Sequence, residues 1–264
     1  MKALTLARLL YRRFAHNDLE AGFSLLHKLG SAILPGYRFQ FPQIGWWLDP
    51  AFNDYLRRFG ELDGMNGDRK WMLFQLCRMS HSIPGDTAEC GVFRGASSYL
   101  ICLANDGTGK RHHLFDSFEG LSAPGSRDGR YWTAGALACS LHDVQERLER
   151  FADVNDYHEG WIPDRFPRVA DRRFSFVHVD VDLEQPTGDS ALFFYERLNP
   201  GGIFLCDDYG FSSCPGATVA LDEFLSNKPE KMVALSGGGG FFIKGVHVGP
   251  SFESSAGVEW PTDP

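Results

Sequence analysis

Nowhere in the 264 residues is there a C-x-x-C pair, a G-x-G-x-x-G turn, an extended block of lysines and arginines, or an apolar run approaching a membrane span. Each absence excludes something. Without closely spaced cysteines there is no zinc-ribbon or thioredoxin-like motif. With a net charge of −8 and no basic cluster, the chain cannot neutralise a phosphate backbone, which excludes a nucleic-acid partner. The missing span excludes a membrane-crossing helix and leaves no membrane partner. The missing glycine spacing argues against a dinucleotide pyrophosphate.

What is present reads as an ordinary globular chain. A hydrophobic share of 43% is enough for one large α/β domain with a small addition. Cys77, Cys90, Cys102, Cys139, Cys206 and Cys214 sit singly, several inside apolar runs such as Phe204-Leu205-Cys206, where a reduced thiol packs as a small hydrophobe. The opening MKALTLARLLYRRFA is interrupted by Arg8, Arg12 and Arg13 before a secretory apolar region can form. The expectation is a soluble, cytoplasmic protein.

Residues 1–68 carry short amphipathic stretches, LARLLYRRF and AFNDYLRRF, broken at Pro35-Gly36 and Pro42. They predict a helical extension, a lid or a homo-oligomer contact, to which Trp46, Trp47 and Leu48 contribute apolar surface. A helix capped by Asp68 is expected next, ended by Pro84-Gly85. From there short strands at 86–90, 112–116, 153–159, 174–180 and 202–208 alternate with helices at 96–105, 140–151, 187–198 and 216–226. That alternation predicts a parallel sheet covered on both faces. MVALS and FFIK, joined across Gly237–Gly240, predict a closing antiparallel hairpin. The catalytic segment is thus expected at 69–246, with 247–264 as a tail.

Ligands of open α/β sheets bind beyond the carboxyl ends of the strands. Four of these ends are acidic. Glu89-Cys90-Gly91-Val92 opens a turn reaching Gly95 and Ser97, where absent side chains let a ligand approach the backbone and a helix N-terminus. Asp116 ends the next strand, where an acid can accept from both hydroxyls of a ribose. Asp180 and Asp182 lie two apart, so they share a side if the strand continues through them. Asp207 and Asp208 end the adjacent strand. Four carboxylates at one edge repel unless protons or a cation compensate, and an all-oxygen set suits a hard divalent ion. The bland alternative is that Asp182 and Asp208 cap the helices that follow them. His178, on the same side as Asp180, is either a further proton acceptor or a satisfied core histidine, and His158 is open to the same two readings.

The blocks ECGVFRGAS (89–97), FDSFEGL (115–121), HVDVDLEQPT (178–187), LNPGGIFLCDDYGFSSCPGA (198–217) and VALDEFL (219–225) resemble the macrocin O-methyltransferase family, which includes sugar O-methyltransferases of macrolide and aminocoumarin antibiotic pathways. The resemblance spans residues 69–245. It implies a Rossmann-like class I methyltransferase fold, a seven-stranded, mostly parallel sheet with an antiparallel last strand. It also implies S-adenosyl-L-methionine bound by Glu89, Cys90, Gly91, Val92, Gly95, Ser97, Asp116, Ser117, Phe118, Ser140, Gly160 and Trp161. Asp180, Asp207 and Asp208 would hold Mg²⁺ or another divalent cation, while Asp180, Asp182 or His178 takes a proton from a small-molecule acceptor bearing hydroxyl groups. Glu184 stands where the family pattern has Tyr. Two other readings stay open, a D-x-D metal-dependent glycosyltransferase and a non-catalytic adenosine-ligand binder.

Overall fold

The computed structural model describes residues 3–33, 46, 48–62 and 64–249. The chain divides into two compact units between residues 63 and 64. In the first, α1 (Ala3–Ala15) and α2 (Leu19–Ile33) form a helical hairpin, with Arg12 paired to Asp18 at the turn. α3 (Pro50–Phe59) follows. It starts where Asp49 accepts the Phe52 amide and stops at Gly60, whose φ of 77° closes the last turn. Phe52, Tyr55, Leu56 and Phe59, spaced three or four apart, form its buried stripe. Trp47 and the Pro35, Gly36 and Pro42 breaks lie outside the described residues.

The second unit begins with α4 (Gly67–Met79) and continues β1 (Asp86–Cys90), α5 (Ala96–Ala104), β2 (His112–Asp116), α6 (Leu141–Arg147), β3 (Asn155–Glu159) and β4 (Phe174–Val179). Then come α7 (Glu184–Tyr195), β5 (Leu198–Cys206), α8 (Pro215–Leu225), β6 (Val233–Ala234) and β7 (Gly240–Ile243). Asn66, not Asp68, precedes α4 at its cap position, and Asp68 sits in the first turn instead.

The seven strands are ordered β3-β2-β1-β4-β5-β7-β6, with β1 to β5 parallel and β7 antiparallel to both neighbours. This is the sheet the sequence alternation and terminal hairpin predict. Every residue of β4 is buried, as expected for a central parallel strand covered on both faces. Phe115, Phe166, Phe174 and Phe194 meet edge-on across one covered face. Each contributes roughly 1.5–3 kcal/mol by burial alone.

Register decides what happens at the sheet edge. Cys90 pairs with Phe115 on one side and Val179 on the other, and Val179 pairs with Cys206. Gly91, Asp116, Asp180 and Asp207 therefore leave their strands at one level, around the point between β1 and β4 where the winding direction reverses.

Candidate active site

Gly91 holds the centre of that edge. Its φ is 83°, and a Cβ there would lie 1.8 Å from the Asp180 carbonyl oxygen. Only glycine allows the approach in which the Asp180 amide donates to the Cys90 carbonyl at 2.8 Å. The turn it begins is pinned by Asp116. Oδ2 accepts the Val92 and Phe93 amides at 2.7 and 3.0 Å, and Oδ1 accepts the Phe118 amide at 2.7 Å. Asp116 thus braces the glycine turn from the next strand and still faces a cavity.

The cavity has a volume of about 320 Å³. Gly91, Phe93, Asp116 and Ser117 line it, and Gly160, Trp161 and Ile162 add a flank from the segment after β3. Asp180, Asp182, Leu183, Gln185 and Pro186 line it as well. Leu121, Ser122 and Leu137 come from the long connection between β2 and α6, of which the sequence reading assigned only the start, through Leu121, and Ser140. Its length was the available signal, because loops that long are usually functional. Asp128 fastens this connection: its buried carboxylate accepts the Gly125 amide at 2.7 Å and the first amide of α7, Glu184, at 2.6 Å. Arg127 beside it bridges Glu184 and Glu223. Glu184, the departure from the family pattern, is therefore held by a cation from this connection.

Several residues expected at the cofactor lie outside the lining of this cavity. Cys90 is wholly buried in the apolar core, and Val92 packs with Leu114, Val144 and Leu148. Ser97 accepts from Lys70 Nζ at 2.6 Å, and Ser140 caps α6 by accepting the Asp143 amide. Gly95 gives α5 its left-handed entry at φ 77°. Glu89 is wholly buried: one oxygen is met by Ser98 and the other lies 3.0 Å from His178 Nδ1. Burial would raise its pKa, but His112 and His178 outweigh that and hold it near 2.

The four acids fall into two groups. His178, Asp180 and Asp207 converge on one point, while Asp182, Asp208 and Cys214 converge on another. Asp180 and Asp182 do not share a strand side, because β4 ends at Val179 and Asp182 takes a φ of 60°. Neither is Asp182 or Asp208 a cap for the helix that follows. α7 receives Asp128, and Asp208 Oδ2 instead accepts the Val181 and Asp182 amides at 3.1 and 2.7 Å.

Charge is distributed unevenly between the groups. Asp207 takes a guanidinium from Arg69, and its other oxygen lies 3.9 Å from His178 Nε2. Burial opposes ionisation of Asp207, but Lys70, His178 and Arg69 together hold its carboxyl well below the ordinary range. Burial would lower the His178 pKa, yet Asp207 and Glu89 lift it to about 9. His178 itself has no exposed surface. Burial and then Asp207 push Asp180 up to about 7, and burial leads the rise of Asp182 to about 6. Burial and the other three acids raise Asp208 as well. The four carboxylates resist full ionisation together and offer hard oxygen donors beside His178 and Cys214, which fits a divalent cation. Arg69 and Lys70, the cations already there, carried no sequence signal because they come from α4, far from the acids in the chain.

A family model for macrocin-O-methyltransferase (TylF) matches residues 64–233. The chain is 32% identical over 152 residues to 8-demethyl-8-(2,3-dimethoxy-alpha-L-rhamnosyl)-tetracenomycin-C 4'-O-methyltransferase of Streptomyces olivaceus, covering 53% of this chain and 58% of that protein. It therefore spans less than two thirds of that relative. Among solved structures, a calicheamicin methyltransferase superposes with a TM-score of 0.62 at 17% identity, over 80% of this chain and all of that one. The O-methyltransferase NovP superposes with a TM-score of 0.58 at 23% identity, over 67% and 79%. At these identities the structural likeness speaks for the fold.

Proposed function

Because the chain belongs to the macrocin-O-methyltransferase (TylF) family, we propose that it is an S-adenosylmethionine- and divalent-cation-dependent O-methyltransferase acting on a sugar or other vicinal-diol small molecule. The observation that carries the reading is the meeting of Asp180 and Asp182 with Gly91, Asp116 and Trp161 on one cavity wall. The glycine turn and the carboxylates thus border one space. The catalytic segment is residues 69–246, and the helical extension 1–68 and the tail 247–264 are accessory to it.

Asp116 would hold the ribose with the carboxylate capacity its three amide donors leave, beside Gly160 and Trp161 at the adenine. Asp180 and Asp207, with Asp208 from the neighbouring group, would hold the cation, which would supply Lewis-acid activation and positioning of an acceptor hydroxyl. Asp182 would take the proton: it lines the cavity, and burial raises its carboxyl to about 6 against the pull of Cys214, Asp208 and Arg69, which matches it to accept a proton at neutral pH. The S. olivaceus relative is named for a 4'-O-methylation of a rhamnosyl compound, which supports a deoxysugar hydroxyl as acceptor.

The test is methyl transfer from radiolabelled S-adenosylmethionine to a panel of glycosides, with Mg²⁺ or with EDTA. Transfer to oxygen that EDTA abolishes and Mg²⁺ restores is expected. Transfer indifferent to EDTA would remove the cation from the reading. Cofactor binding with no turnover on any acceptor would favour a binding protein.

A further inference from the structure

The glycine tract 237–240 and the start of α4 converge on Asp207. Arg69 Nη1 donates to Asp207 Oδ2 and Nη2 donates to Asn66 Oδ1, while the guanidinium carbon lies 5.0 Å from the centroid of the Phe211 ring. Phe211 packs against Gly238, where a Cβ would come within 2.2 Å of the ring and 3.1 Å of Arg69 Cδ. A Cβ on Gly239 would lie 2.9 Å from the Cys206 carbonyl oxygen and 3.2 Å from that of Asp207. The tract is bare of side chains where Arg69 and Phe211 must lie against the end of β5. One residue on, Lys70 Nζ stands 4.0 Å from Asp180 Oδ2. One helix thus delivers two cations to the two acids nearest His178.

We propose that Arg69 is a built-in competitor of the divalent cation: it occupies Oδ2 of Asp207, is displaced when the ion binds, and thereby sets the ion affinity of the site. The proposal rests on the reading of Asp180, Asp207 and Asp208 as cation ligands. A guanidinium stays charged at every accessible pH, so the competition cannot be relieved by deprotonation. It acts in two ways, by taking one anionic oxygen and by repelling a second positive charge. Asn66, Phe211 and the glycine turn hold it at the site, which a mobile surface arginine would leave.

The test titrates Mn²⁺ into the full-length protein without acceptor, at pH 8, following heat and the loss of the free-ion EPR signal. Arg69→Met is expected to bind Mn²⁺ at least tenfold more tightly than wild type. Arg69→Lys, which keeps the charge and loses the fork, falls between them. Phe211→Leu, which leaves every charge in place and loosens the support, tightens binding about threefold and serves if Arg69→Met does not fold. Weaker or unchanged affinity in Arg69→Met overturns the proposal and makes Arg69 an orienting partner of Asp207. Asp207→Asn tests the underlying reading separately: it should weaken Mn²⁺ binding at least tenfold, and unchanged affinity there would overturn the ligand assignment whatever Arg69 does.

Discussion

One buried histidine–carboxylate chain crosses β1, β4 and β5, from Ser98 through Glu89 and His178 to Asp207. A second crosses β1, β2 and β3, from Arg172 through Asp86 and His113 to His158 and Asp156. Both use the same residue types, yet they differ in charge and in where they end. His178 lies between two carboxylates and is lifted to about 9, whereas burial and the neighbouring His113 push His158 down to about 4. The inner chain abuts Asp180 on the cavity wall, while the outer one ends on Arg111, at a partly exposed ion pair. Asp86 opens β1 and Glu89 all but closes it, so position along one strand separates a structural network from one that supports the site.

The strongest way to break the inner chain is at its open end. Asp207→Asn preserves shape and removes the charge, so turnover should fall roughly 10²–10³-fold with S-adenosylmethionine affinity nearly unchanged, as steady-state kinetics and calorimetry would measure. Full activity in the variant would sink the cation mechanism. One step back, Glu89→Gln takes the anionic partner from His178 without changing its size. A loss of about ten- to a hundredfold in Mn²⁺ affinity is expected, the usual effect of removing a group that orients a ligand. If S-adenosylmethionine affinity alone fell, Glu89 would have the cofactor-binding role expected from its sequence block.

The site was legible beforehand only in part. Apolar alternation followed by an acid located the ends of β1, β2, β4 and β5, because strand period and strand end are both local properties. The glycine turn and Asp116 were readable for the same reason, and Gly160 and Trp161 through the family pattern. The orientation of Asp182 was not readable, since the strand stops at Val179, a φ of 60° turns the residue off it, and no neighbouring residue announces the turn. Arg69, Lys70 and Asp128 were invisible because their partners come from other elements: α4 with β5, and the β2–α6 connection with α7. Periodicity carries the backbone state of a segment. It does not say which distant side chain will meet it.

Breaking the outer chain should leave the chemistry alone. Asp86→Asn weakens the contacts to His113 and Arg172 and replaces an acceptor of the Arg111 amide. It should cost about 1–2 kcal/mol in denaturant unfolding with kcat and KM unchanged. A drop in kcat without a change in cation affinity would mean that the two chains communicate through β1.

The mildest test uses pH. His158 ordinarily titrates near 6.5, and the fold lowers that to about 4, so between those values the unfolded chain binds more protons than the native one. Stability is then complete above pH 6.5 and declines as pH falls through the window, by at most about 1.4 kcal/mol per unit. His158→Phe removes the titration but keeps a ring against Phe115, whose centroid lies 4.4 Å from that of the histidine. Unfolding measured from pH 7.5 to 4.5 should show a shallower decline in the variant, with activity at pH 7.5 unchanged. An identical slope would mean that His158 takes up its proton at the same pH folded and unfolded. The contrast between a charged inner histidine and a neutral outer one would then be lost, and with it the idea that local partners alone set the two apart.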